Sequence, residues 1–460
     1  MASDRHDARH LDRLIDPVRY RLDSSWQRFG AVALAGSPLR LFRTTAAGAD
    51  VLRGLEQGHD VDRSVLVDRL LDAGAIHPRP SDPPQLTIAD VTIVTPQLRA
   101  DATSRAHDDG RITIDDGSVP PLADATHRLA VTSGPAAARN AARSFVDTEL
   151  VVFLDADVEA ADGWLEPLLR HFDDPRVGLV APRVGGEPGS PLDLGDEPAR
   201  VRAGTRVSYV PGAALVVRVA AFDAIGGFDP TLRFGEDVDF VWRLDEAGWR
   251  CRYEPSVTVW HEPRGSFRAR LHQHAGYGTS AAPLALRHPG ALSPTRSNGW
   301  TAFAWTAIAG GHPVIGTAAA VGSSLALGRK LPDLPTSASF RIAMKGHLLA
   351  GRQFAAAGRR VWWPIALVGA LVSRRMRWIA LASVMVDVRA TPTDVAYGWG
   401  VWKGMVRHRT LGPITPRLSA WPGRQPRPTG PSGRQPRPTG PSGNRRLPDE
   451  PRRVPGADGR

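Results

Sequence analysis

Among the 460 residues there is one cysteine, Cys251. A single thiol excludes an intramolecular disulfide and points to a reducing compartment. The opening segment, MASDRHDARHLDRL, lacks the apolar core of a secretory leader. A cytoplasmic location is expected on these grounds, with the inner face of the cell membrane left open as an associated surface. Charge is missing elsewhere: from Trp300 to Gly328 there is no Asp, Glu, Lys or Arg. That run is long enough to cross a bilayer. Gly310, Gly311, His312 and Pro313 interrupt it, which favours a helical hairpin over one clean span. Two further apolar pieces, 361–373 and 378–386, are short for spans and are parted by Arg374-Arg375-Met376-Arg377. Trp362, Trp363 and Trp378 lie close to those arginines, a pattern of interfacial helices. Membrane contact and a buried soluble helical layer both stay open.

What is present is a normal core and a basic surplus. Apolar residues make up 42% of the chain, enough for ordinary globular packing. Lys and Arg number 58 against 47 Asp and Glu, a net charge of +11. The tail beyond Arg407 is rich in arginine, while carboxylates cluster in the middle. Anionic lipid or a phosphorylated substrate would suit this balance; no nucleic acid is expected.

The length suggests two or three domains. Residues 1–85 read as a small winged-helix-like unit. Its strands are 31–34 and 39–43, around Gly36-Ser37-Pro38. A helix follows from Ala46 to Glu56, capped by Thr45, and another from Val61 to Ala73. The Pro-rich HPRPSDPP then leads out. Residues 86–295 alternate strands and helices: VTIVTP, ITIDDGS, an Ala-rich helix from Gly134, ELVVFLDADV, WLEPLLRHF and VGLVAPRV. That alternation predicts a parallel, doubly wound α/β core. Residues 296–410 read as helical, and 411–460 as a disordered Pro/Gly/Arg-rich tail in which GRQPRPTGPS occurs twice.

Two acidic clusters about eighty residues apart carry the chemistry. Asp155 and Asp157 follow the apolar Val-Val-Phe-Leu, at the strand end where open α/β sheets bind ligands. Carboxylates there are hard ligands suited to Mg²⁺ or Mn²⁺ beside phosphate oxygens. An isolated Asp-x-Asp also reads as a plain solvated loop; its place after a buried strand favours the site. Asp115 and Asp116 close an earlier strand, in a turn permitted by Gly117, where a carboxylate suits a base N–H or ribose hydroxyl. Arg139 could approach the nucleotide and Asn140 support the loop around the first aspartates, and either reads equally as an ordinary surface polar residue. Glu236-Asp237 opens a helix after Gly235, and a helix start favours the ionised carboxylate that a general base requires. Asp237 is the expected base, with Glu236 orienting. His261, after the strand VTVW, could complete a metal site.

In this order, VTIVTP, IDDGS, ARN, FLDADV, GGFDPTLRFGEDVDF and RYEPSVTVWH resemble a family-2 glycosyltransferase of the GT-A fold, over about Val91 to Pro289. The resemblance implies an inverting transfer from a UDP-sugar with a divalent metal, Mg²⁺ or Mn²⁺. It places Pro96, Asp115 and Asp116 at the nucleotide. Asp155 and Asp157 then fall at diphosphate and metal, and Asp237 acts as base. The front unit, VPGAALVVR and HQHAGYGTSAAPLALRHPG resemble more narrowly the glycosyltransferases of mycofactocin biosynthesis. Those imply β-linked glucose units on a peptide-derived redox cofactor or its precursor. The front unit is also similar to the peptide-binding winged helix of pyrroloquinoline-quinone maturation. Two alternatives remain beside this reading. One is a cell-envelope enzyme acting on a lipid-linked or polysaccharide acceptor. The other is a non-catalytic scaffold, motivated by the short polar segment between Pro96 and Asp115.

Overall fold

The computed structural model describes residues 18–79, 83–98, 110–186, 190–261 and 266–419. Local signals at the front end become local structure. Strands β1 (Arg19–Leu22), β2 (Gln27–Phe29), β3 (Val32–Ala35) and β4 (Arg40–Arg43) precede two helices, α1 (Ala46–Glu56) and α2 (Val65–Asp72). The Thr45 hydroxyl accepts from the Gly48 N–H and the Ser64 hydroxyl from the Val67 N–H, so each helix starts on a side-chain cap. The second helix begins four residues later than its apolar spacing suggests, because Val61 bridges Val18 instead. β3 pairs antiparallel with β2 and β4, and β5 (Ile76–Arg79) closes back on β1. Leu52, Leu55, Val67, Leu70 and Ile76 fill a small core beneath. Buried Arg250 then fixes this unit to the sheet beyond through Asp68 and Asp72 of α2 and Asp174.

The central sheet uses β6 (Val91–Gln97), β7 (Ile112–Asp115), β8 (His127–Arg128), β9 (Leu150–Leu154), β10 (Val158–Glu159), β11 (Val177–Gly185), β12 (Ala199–Val201), β13 (Ala214–Arg218) and β14 (Arg250–His261). Their spatial order is β10-β14-β11-β13-β9-β6-β7-β8, with β12 beside β14. β9 is buried throughout, and its side chains divide by alternation. Val151 and Phe153 enter one core; Leu150, Val152 and Leu154 enter the other. The sheet is therefore covered on both faces, as a run without polar residues requires. It is mixed rather than all parallel: β13 runs antiparallel to β9 and β11. Between β11 and β13 the described residues hold the short strand β12 and no crossover helix, so β13 can enter reversed. Parallel pairing of β6 with β7 and β9, and the return direction of β13, place Gln97, Asp115, Asp155 and Gly212 along one edge. Flanking helices are α3 (Pro135–Ala141), α4 (Glu166–Leu169), α5 (Val219–Ala224) and α6 (Glu236–Glu246).

The remainder is a helical layer: α7 (Phe267–Thr279), α8 (Ala281–Arg287), α9 (Gly299–Ala309), α10 (Pro313–Lys330), α11 (Thr336–Arg360), α12 (Trp363–Val372), α13 (Arg374–Met385) and α14 (Thr391–His408). The uncharged run forms the α9–α10 hairpin, broken at its Gly-Gly-His turn. α7 and α14 touch backbone to backbone, since a Cβ on Gly278 would lie 2.0 Å from the Tyr397 carbonyl oxygen. Among the described residues no helix is long and apolar enough to cross a membrane. Ordered structure continues past residue 411, because β15 (Arg296–Ser297) pairs with β16 (Arg417–Leu418). The duplicated GRQPRPTGPS segment lies outside the described residues.

Candidate active site

On the β6–β7 side the two turn aspartates are fully engaged. The Ser118 N–H donates to Asp115 Oδ1 at 2.7 Å, and the Leu122 N–H to Oδ2 at 3.2 Å. Burial pushes the Asp115 carboxyl up, but those bonds and the Arg128 guanidinium outweigh it and hold it below the usual range. Asp116 accepts from the Ser133 N–H at 2.7 Å and the Gly134 N–H at 2.9 Å, fixing the loop that starts α3. Pro96 lies beside Ile114 in the ladder and is half-buried.

Arg139 differs from its expected place. Its guanidinium is buried, 2% exposed, and does not face an open groove. It donates to Asp155 Oδ1 at 2.7 Å, to the Gly212 carbonyl at 3.1 Å and to Glu236 Oε1 at 3.3 Å, and lies over the Phe228 ring. It joins the two acidic clusters. Asn140 also serves the second cluster, not the first. Its amide brackets Phe228, donating to the carbonyl at 2.8 Å and accepting from the N–H at 2.9 Å.

Gly235, with φ of 74°, makes the left-handed step that begins α6. Asp237 Oδ2 accepts from the Gly212 N–H at 3.0 Å and Oδ1 from the Val238 N–H at 2.8 Å. Burial raises the Asp237 carboxyl despite these bonds, with Asp155 adding to the rise. Glu236 is pushed up to about 7 by burial first and by Asp237 second, with Arg139 opposing. Two carboxyls in such a place titrate as a pair. Behind them, buried Asp239 anchors α6 through Arg243 and His288, and those bonds bring it down to about 2 against burial.

Pairing of β10 with β14 brings His261 opposite Val158, and His261 Nε2 stands 3.4 Å from Asp157 Oδ2. Two ligands about 2.1 Å from one small cation, near right angles, lie roughly 3 Å apart, so this pair fits as neighbours on one ion. The expected third ligand, Asp155, is drawn to Arg139 instead. Among the described residues no group of three or more His, Cys, Asp or Glu forms a cage. A Mg²⁺-type site takes one or two carboxylates and completes its shell from substrate phosphate and water, so two protein ligands suffice.

The aromatic wall beside Asp237 was not legible in the sequence. The Tyr209 hydroxyl is pushed up to about 12, by burial and then by Asp237, although 36% of the residue is exposed. Tyr277 and Tyr397 act on the same phenol, with Arg360 opposing. Phe234 meets Tyr277 edge-on at 5.9 Å, and Arg360 covers the Tyr397 ring at 4.1 Å. Four separate segments contribute the four rings.

Comparison with known proteins shows the family. Residues 112–198 match the model of glycosyl transferase family 2, and residues 195–277 match that of glycosyltransferase-like family 2. The chain is 37% identical over 449 residues to the pre-mycofactocin glycosyltransferase of Mycobacterium tuberculosis, covering 85% of this chain and 95% of that protein. It therefore belongs to the pre-mycofactocin glycosyltransferase family, within the family-2 glycosyltransferases of GT-A fold. A shorter likeness, 32% over 158 residues, joins it to the N-acetylglucosaminyl-diphospho-decaprenol L-rhamnosyltransferase of the same organism, covering 30% of this chain and 52% of that one. Among solved structures, the Pyrobaculum calidifontis mannosyltransferase PcManGT in complex with GDP-Man and Mn²⁺ aligns with a TM-score of 0.41 at 16% identity. That alignment covers 70% of this chain and 87% of that one.

Proposed function

We propose that this enzyme transfers glucose from UDP-glucose, with inversion, to mycofactocin or its peptide-derived precursor, building a β-linked oligosaccharide. The observation that carries the reading is Asp237. Two backbone N–H groups fix its carboxylate at a helix start, beside an aromatic wall suited to a sugar or aromatic ring. In its ionised form it takes the proton of an acceptor hydroxyl. The resulting oxygen attacks the anomeric carbon from the face opposite the diphosphate. The new glycosidic bond forms as the sugar–phosphate bond breaks, the electron pair leaves with UDP, and the proton stays on Asp237. Bound at Asp157 and His261, a Mg²⁺ or Mn²⁺ ion would neutralise the departing diphosphate. Asp115, Asp116 and Pro96 shape the nucleotide end. Arg139 keeps Asp155, Glu236 and Asp237 from repelling one another. The front unit recognises the peptide-derived part of the acceptor, and the site works at the inner face of the membrane.

The test is incubation of the full-length protein with a pre-mycofactocin-type acceptor, Mn²⁺ and each of several nucleotide sugars, followed by mass analysis. Addition of hexose units from UDP-glucose is expected. Transfer only from another donor rejects the sugar, and no transfer from any donor rejects the reading. The exposed apolar helices favour one rival, a lipid-linked acceptor. Competition between the two acceptors separates them: the preferred one suppresses labelling of the other.

A further inference from the structure

Nothing in the transfer chemistry uses α12 and α13. Neither helix has a buried residue, and Leu367, Val368, Leu371, Trp378 and Met385 all stand in the open. The turn between them touches a second turn: Arg375 donates to the carbonyl of Gly310, where α9 gives way to α10. Two helical hairpins thus present their tips side by side. At those tips Val314 is 81% exposed and Val372 85%, values usual for charged residues, and Ile315 and Leu371 also stand more than half exposed. Four neighbouring aliphatic side chains in water are an interaction surface lacking its partner.

We infer that these two tips form one apolar prow that seats in the interface of an anionic lipid bilayer. Charge selects the partner. Between Trp300 and Val386 there are ten Lys and Arg, two of which, Arg359 and Arg360, pair with Asp394 of α14, and one acidic residue, Asp333. Asp333 is paired with Arg43 of the front unit. A second copy would bring the same cations against themselves, whereas anionic headgroups neutralise them. Length excludes a span: the ten residues of α12 reach about 15 Å, half of a hydrocarbon core near 30 Å. Arg374, Arg375 and Arg377 stand at the tip beside Leu371 and Val372, so the tips rest at headgroup level and only the aliphatic side chains dip below it. This identifies the surface behind the membrane partner proposed above and does not depend on the identity of the sugar.

The experiment is sedimentation of the full-length protein with phosphatidylcholine vesicles, with and without phosphatidylglycerol. Binding to the phosphatidylglycerol vesicles, weakening as salt is added, is expected. Val314→Ser with Leu371→Ser and Val372→Ser should reduce that binding on the order of tenfold or more. Arg374→Glu should reduce it and flatten the salt dependence. Unchanged urea midpoints show that the variants are folded, since all four positions are exposed. Absence of vesicle binding by the parent protein overturns the proposal, as does undiminished binding by the triple variant. A parent protein that dimerises without lipid, and becomes monomeric in the triple variant, overturns it in favour of self-contact. Transfer to a water-soluble acceptor reports on the enzyme separately. Vesicle binding without transfer leaves the prow standing, and transfer without vesicle binding rejects it.

Discussion

The turn at Asp115-Asp116 and the helix start at Glu236-Asp237 each hold two adjacent carboxylates at one edge of the same sheet, and they are built for opposite ends. Four backbone N–H groups saturate the first pair, and the Arg128 charge assists. Asp115 stays ionised, and its charge is spent on loop geometry. The second pair has fewer donors, and burial together with the further charge of Asp155 raises both carboxyls. Adjacent acids therefore say little about chemistry until the donors around them are counted. A carboxylate with surplus donors is a fastener; one short of them is poised to exchange a proton.

The comparison is most sharply broken at Asp237. Asp237→Asn should lower transfer by about 10²- to 10⁴-fold while leaving donor affinity nearly unchanged, measured by UDP release and equilibrium donor binding. The next effect is on the fold. Arg139→Ala leaves three buried or half-buried acids without their shared cation and should cost about 3–5 kcal/mol in urea unfolding. A loss of activity without loss of stability would show that Arg139 touches the donor instead.

Glu236 gives the pH dependence. Its folded value near 7 lies above its ordinary 4.5, so between those values the folded state holds the extra proton. Stability should fall as pH rises through that window. From pH 5 to 7 the parent protein should lose about 2 kcal/mol relative to Glu236→Gln, which has no proton to release. Parallel curves for the two proteins would remove the raised carboxyl. The smallest effect is at the fastener. Asp116→Ala leaves the Ser133 and Gly134 N–H groups without their acceptor and should cost about 1–3 kcal/mol. Its pH profile of activity should stay in place, since the proton-exchanging pair is elsewhere.

Much of this arrangement was legible locally. Thr45 caps α1 where expected, the FLDADV strand ends in its aspartates at the sheet edge, and the helix after Gly235 starts at Glu236. Each of these depends on residues within a few positions. What failed depends on distance in sequence. The reversed direction of β13 follows from a connection with no local signal. The inward turn of Arg139 depends on Glu236, 97 residues away. The wall of Tyr209, Phe234, Tyr277 and Tyr397 joins two loop residues of the sheet domain to two helices of the helical layer, so no local pattern announces it. His261 was legible as a candidate metal ligand from its strand end, while its reach to Asp157 comes from the pairing of β10 with β14.

Calorimetric titration of UDP in the presence and absence of Mn²⁺, into the parent protein and Asp157→Ala, bears most directly on the division of labour between cation and base. Mn²⁺-dependent binding in the parent and its loss in the variant are the predicted result; equal Mn²⁺-dependent affinity in both would contradict it.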